Sequence, residues 1–161
     1  MYLGVSKNAS TSMKQLMWYE ENENSGEDAP SRFHLYWGFS PVEGRSVDVT
    51  DNQSLAEYRN YLRFSVYRDP VSRFLSTYHN KVLYSPTEHP FYTGKRLEGM
   101  GLEQFIRVAE SILKISNPLH IDEHLRPQAW CYEPSDVDFI VPIGQLDEFL
   151  KLQFGIELTR N

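Results

Sequence analysis

One cysteine, Cys131, stands in the 161 residues. An internal disulfide is thereby excluded, which suits a reducing compartment. Long hydrophobic runs are also missing, for no apolar stretch approaches the roughly 20 residues that span a bilayer. No secretory leader is recognisable, because the N-terminus runs directly into a strand-like apolar pattern. The five histidines, His34, His79, His89, His120 and His124, lack regular ligand spacing, and Pro118 and Pro127 interrupt any helix that would pair His120 with His124. No metal is expected. Positive charge is in deficit too: a net charge of −6 excludes the broad basic field that nucleic acid requires. It also disfavours a long polyanionic substrate, unless Arg73, Lys81, Lys95, Arg96 and Arg126 form a local patch.

What is present is enough for a core. Hydrophobic residues make up 40% of the chain and aromatic ones 14%, which excludes a disordered polypeptide and allows one compact domain over residues 1–161. Residues 2–5 read as a first strand, and Met13, Leu16 and Met17 recur at helical spacing. An acidic loop (20–31), an aromatic strand (32–39), a second loop (40–51) and a short helix (53–61) follow. A buried strand begins at Phe64. The helix from Pro70 is expected to run to about Tyr84, with Val71, Phe74, Leu75 and Tyr78 inward. After a long loop (85–101), Leu102, Phe105, Ile106, Ala109, Ile112 and Leu113 form the apolar stripe of a helix over 102–114. Loop 120–136, a last buried strand (137–143) and a closing helix (145–153) complete the chain. Alternating strands and helices predict an α/β domain, with a mainly parallel sheet flanked by helices.

Two stretches carry chemistry. In YLGVSKNASTSM, residues 2–13, a short strand stops at a hydroxyl-rich turn bearing Lys7 and then enters a helix. Free N–H groups and the positive dipole end of such a helix converge on an anion. The same residues also describe a plain turn capped by Ser10, with Lys7 in solvent. In RFSVYRDPVSRFLSTY, residues 63–78, Asp69 suits a helix N-cap and Pro70 the first helical position. Arg68 then stands at the strand's exit, with Ser76 about two turns into the helix. An arginine and a serine so placed can share one phosphate, which the guanidinium grips bidentately. Taken alone, Arg-Asp-Pro is also a common structural turn.

In this order the two stretches resemble the sulfotransferases that use 3'-phosphoadenosine 5'-phosphosulfate (PAPS). KNASTS, Lys7 to Ser12, resembles that family's P-loop-like 5'-phosphosulfate turn, closest to the heparan sulfate 2-O-sulfotransferase branch. Arg68 and Ser76 resemble its 3'-phosphate motif. HLRPQAWC, residues 124–131, followed by DFIVPIGQLDEFL, is similar to carbohydrate sulfotransferases of the chondroitin 4-O and HNK-1 type. The resemblance implies transfer of a sulfuryl group from PAPS to a hydroxyl, in the first instance of a saccharide, with 3'-phosphoadenosine 5'-phosphate (PAP) as product. It implies that Lys7 stabilises the leaving group, and that Asn8, Ala9, Ser10, Thr11 and Ser12 line the 5'-phosphate. Arg68 and Ser76 would hold the 3'-phosphate. It also implies a cytoplasmic protein if the chain is bacterial and complete, or a Golgi-lumenal one if it is a fragment of a eukaryotic member.

A hydroxyl acceptor needs a proton acceptor within hydrogen-bond reach. His124, which opens the HLRPQ segment, and His34, in the aromatic strand, are the candidates, with Glu20 and Glu21 as outsiders. Leu125 stands where the family's pattern has tryptophan. The carbohydrate branch continues further past the DFI strand than this chain does. A non-catalytic module that retains the nucleotide pocket is therefore the alternative. A P-loop kinase is less favoured, since both glycines of G-x-x-x-x-G-K-[ST] are missing.

Overall fold

The computed structural model describes residues 2–4, 8–9, 12–13, 16, 60–84, 97, 99–114 and 121–156. The strand expected at 32–39, nearly all of the helix at 53–61, the loops at 20–31 and 40–51, and residues 85–96 lie outside the described residues. In chain order the main elements are β1 (Tyr2–Leu3), β2 (Phe64–Tyr67), α1 (Pro70–Tyr78), α2 (Leu102–Leu113), β3 (Phe139–Pro142) and α3 (Leu146–Phe154). They fall into two compact units, one formed by Met1–Tyr67 with Tyr132–Asn161 and the other by Arg68–Cys131.

The first unit is built on a parallel sheet of order β1-β2-β3 among the described residues. β1 lies beside β2 with Tyr2 opposite Phe64 and Leu3 opposite Ser65, and β2 pairs with β3 from Phe64–Phe139 through Tyr67–Pro142. Phe64, Val66, Val141, Met13, Leu146 and Leu150 make the core of this unit. Burying a side chain such as Val66 is worth about 2 kcal/mol. The Phe64 and Phe149 rings meet at 5.0 Å, and Phe139 and Phe149 at 5.5 Å. β3 is less buried than its apolar sequence suggests, since Phe139 and Ile140 are exposed and Val141 alone of its four residues is buried. Its α/β connection ends in α3, which Gly155 closes at φ +71°, a left-handed turn that costs glycine nothing.

Register is fixed at the entry to β2. The Asp138 carboxylate accepts from the Arg63 main-chain N–H at 2.7 Å and from its guanidinium at 3.1 Å. The Arg63 carbonyl in turn accepts from the N–H groups of Asp138 and Phe139 at 2.7 and 3.1 Å. A one-residue slip would break all four contacts and exchange the faces of the strand.

In the second unit Asp69 caps α1 by accepting from the Ser72 N–H at 2.8 Å, with Pro70 at the first position as expected. Beyond Tyr78 the chain continues to Tyr84 as a π-helical turn, His79–Tyr84. Phe74 and Tyr78 pack on Phe105 of α2, their ring centroids 5.2 and 5.5 Å away. The expected inward positions Val71 and Leu75 are instead exposed, at 67% and 38%. Arg73 and Thr77 take their place, at 5% and 0% exposure. The cause is polar: segment 121–131 presents partly buried main-chain carbonyls to this face of the helix, and these take Arg73 and Thr77 as donors. In α2, Phe105, Ala109 and Ile112 are buried, whereas Leu102, Ile106 and Leu113 at the stripe's margin remain exposed.

Candidate functional site

The turn after β1 is tied to the neighbouring strand. Asn8 is fully buried, and its Nδ2 donates to the Val66 carbonyl at 2.7 Å. The Tyr2 hydroxyl donates to the Asn8 carbonyl at 3.1 Å. The Asn8 side chain thus anchors the turn to β2. Ala9 follows with φ +60°, a left-handed conformation that costs a residue with a Cβ about 1 kcal/mol. Its carbonyl accepts the Met13 N–H at 2.9 Å, and Ser12, Met13 and Leu16 are helical, with Ser12 exposed. Among the described residues, strand (Tyr2–Leu3), left-handed turn (Ala9) and helical residues (Ser12, Met13 and Leu16) therefore follow one another. Lys7, Ser10 and Thr11 lie outside the described residues.

Arg68 emerges directly from β2 and is half-buried, and Ser76 is half-buried within α1. Gln128 brackets the Arg68 peptide groups. The Arg68 N–H donates to Gln128 Oε1 at 3.1 Å, and Gln128 Nε2 donates to the Arg68 carbonyl at 2.7 Å. One side-chain amide thereby pairs with the main chain as an adjacent strand would. Sequence reasoning quoted Gln128 only as a letter of the HLRPQ motif and gave it no task.

Segment 121–131 is knitted to α1 by further donors. The Arg73 guanidinium donates to the carbonyls of Arg126 at 2.9 Å and Glu123 at 2.8 Å. Burial pushes this guanidinium below its ordinary value, while Cys131, Asp122 and Glu123 act in the other direction. Arg73 is consequently an internal strut, not part of a surface patch for polyanions. The Thr77 hydroxyl stands 3.1 Å from the Arg73 carbonyl and 3.2 Å from that of His124. Arg126 donates to the Ile121 carbonyl at 3.1 Å. Cys131 is half-buried with its sulfur 3.6 Å from the Pro127 carbonyl, and burial raises its thiol above the ordinary value.

His124 does not stand alone. Asp122, buried at 4% exposure, accepts from the His124 main-chain N–H at 2.9 Å and lies 2.8 Å from ring Nδ1. A carboxylate only accepts, so Nδ1 carries the proton and Nε2 of the neutral ring is the acceptor nitrogen. Asp122 went unremarked in the sequence, although its Asp-x-His spacing was legible. His34, Glu20 and Glu21 lie outside the described residues. Among the described residues, no group of three or more His, Cys, Asp or Glu side chains gathers as a metal site would, and no helix is long and apolar enough to cross a membrane.

The family model described as "Sulfotransferase family" matches residues 1–150, a span that runs through both compact units. No curated protein and no solved structure matches the chain.

Proposed function

The chain belongs to the sulfotransferase family, and on that premise we propose that it transfers a sulfuryl group from PAPS to a hydroxyl of a saccharide. The observation that carries this reading is the neighbouring, parallel placement of β1 and β2. Parallel strands deliver their carboxyl ends to one edge, where open α/β sheets bind their ligands. The turn at Asn8 and Ala9 follows one of these strands and Arg68 the other. The left-handed Ala9 supports an anion cradle, because such a turn can aim successive N–H groups at one point.

Each residue then has a task. The main chain of Asn8 and Ala9, with Ser10, Thr11 and Ser12, holds the 5'-phosphate side of the donor. Arg68 and Ser76 hold the 3'-phosphate, the group that separates this donor from ordinary adenine nucleotides. Lys7 offsets the negative charge that grows on the oxygen bridging sulfur and phosphate as that bond breaks. His124 removes the acceptor hydroxyl's proton through Nε2, with His34 as the alternative base. The sulfuryl group passes to the acceptor oxygen, the proton to the base, and the bisphosphate leaves.

The test is calorimetric titration with PAP, AMP, ADP and ATP, followed by transfer of labelled sulfate from PAPS to a panel of sugars. PAP should bind far more tightly than AMP, and Arg68→Ala should erase that preference. Equal affinities for PAP and AMP in the unaltered protein would sink the donor assignment. A PAP preference without transfer to any sugar would leave a binding module, or an acceptor of another class.

A further inference from the structure

We infer that Gln128 is a positioning residue for the donor site, and that the HLRPQ segment serves PAPS selectivity by fixing the main chain of Arg68. The inference rests on the reading that Arg68 binds the 3'-phosphate.

Arg68 is the first residue after β2, so the ladder that holds Phe64–Tyr67 against β3 has ended. A guanidinium on an untied peptide would sweep a wide arc, and a bidentate phosphate contact tolerates little of it. The clamp by Gln128 prevents this. It satisfies both main-chain groups of Arg68 at 3.1 and 2.7 Å, and no carboxylate at that position could supply the donor half.

The clamp is only as firm as the segment behind Gln128, and three side chains hold that segment through four hydrogen bonds. Arg73 reaches the carbonyls of Glu123 and Arg126, Thr77 that of His124, and Asp122 accepts the His124 N–H. Arg73 and Thr77 sit on α1, the helix whose cap is Asp69, the residue after Arg68. The segment therefore fastens Arg68 from its own side while bonded to the helix that Arg68 leads into. A loop kept only for acceptor contacts would not need its glutamine turned onto this peptide.

The experiment compares Gln128→Met, which keeps length and removes both hydrogen bonds, with Gln128→Glu, which keeps only the accepting half. PAP and AMP affinities and the steady-state constants for PAPS are measured for both variants and for Arg68→Ala. Gln128→Met should lower the PAP-to-AMP affinity ratio by about tenfold to a hundredfold, with AMP affinity held. KM for PAPS should rise while kcat is kept, the signature of a contact made equally in ground and transition states. Gln128→Glu should fall between. An unchanged ratio in Gln128→Met, beside a collapsed one in Arg68→Ala, overturns the inference and leaves the donor reading intact. No PAP preference in the unaltered protein overturns the donor reading itself. If Gln128→Met does not fold, Gln128→Glu decides: full discrimination there makes the donated half dispensable and refutes the clamp.

Discussion

Asp122 holds His124 twice, through the main-chain N–H at 2.9 Å and through ring Nδ1 at 2.8 Å. The carboxylate itself is buried, so the pair is a fixed orientation and not a surface encounter. Whichever task His124 has, its neutral ring presents Nε2 as acceptor.

For proton removal from the acceptor, Asp122→Asn should lower kcat by on the order of a hundredfold or more, because an amide can donate to Nδ1 and reverse the tautomer. Nitrogen-15 shifts of the His124 ring would show the reversal directly. His124→Ala should end sulfate transfer and spare PAP binding. Should His34→Ala be dead and His124→Ala fully active, the roles exchange and the Asp122 contact is structural.

At Lys7 the expected effect is on chemistry more than on binding. If the ammonium meets charge that develops mainly in the transition state, Lys7→Ala should reduce kcat roughly a hundredfold or more. Affinity for PAP should change far less. Normal turnover with weakened binding would make Lys7 a phosphate tether only.

Arg73 provides a stability prediction. Arg73→Ala removes two charge-assisted hydrogen bonds to the partly buried carbonyls of Glu123 and Arg126, which should cost about 3 kcal/mol. Arg73→Lys should recover part of this, since an ammonium lacks the planar fork that reaches both carbonyls. Urea unfolding of the three proteins measures it, and a loss under about 1 kcal/mol for Arg73→Ala would contradict the strut.

Acid should loosen the first unit at Asp138. Its side-chain and main-chain hydrogen bonds with Arg63 hold its carboxyl below the ordinary value. The sign follows: a group depressed in the folded state adds stability above its unfolded value, about pH 4, and loses it as pH falls through the folded value. Asp138→Asn should therefore show a smaller drop in urea midpoint between neutral pH and about pH 3 than the unaltered protein. Asp69, lowered chiefly by the Ser72 N–H, contributes in the same direction in the second unit. Equal acid sensitivity of the mutant would remove Asp138 from this account.

Periodicity and cap chemistry made the order of elements legible. Asp69 caps, Pro70 opens α1, and α2 and α3 run within a residue or two of expectation. The face of α1 was not legible. An apolar stripe argues for Val71 and Leu75, but the helix turns to bring Arg73 and Thr77 onto carbonyls many residues ahead in the chain. Such donors answer a demand that local sequence does not display. Gln128 was hidden for the same reason, since it serves a main-chain group 60 residues away whose position only the folded chain defines. Arg68, by contrast, could be placed from its neighbours, because the end of a strand and an Asp-Pro helix start are both local signals.

The Arg63–Asp138 clamp joins residues 75 positions apart. A ribosome must therefore release all of the second unit before β3 exists to pair with β2. Arg68–Cys131 is continuous and holds its own core, whereas the sheet is assembled from segments on either side of it. Synthesis thus favours an order in which the inserted segment organises first and the sheet closes last, around a strand that has waited. Substitutions at Arg63 or Asp138 would accordingly lengthen that wait, acting on the yield of folded chains before they act on any property of the finished protein.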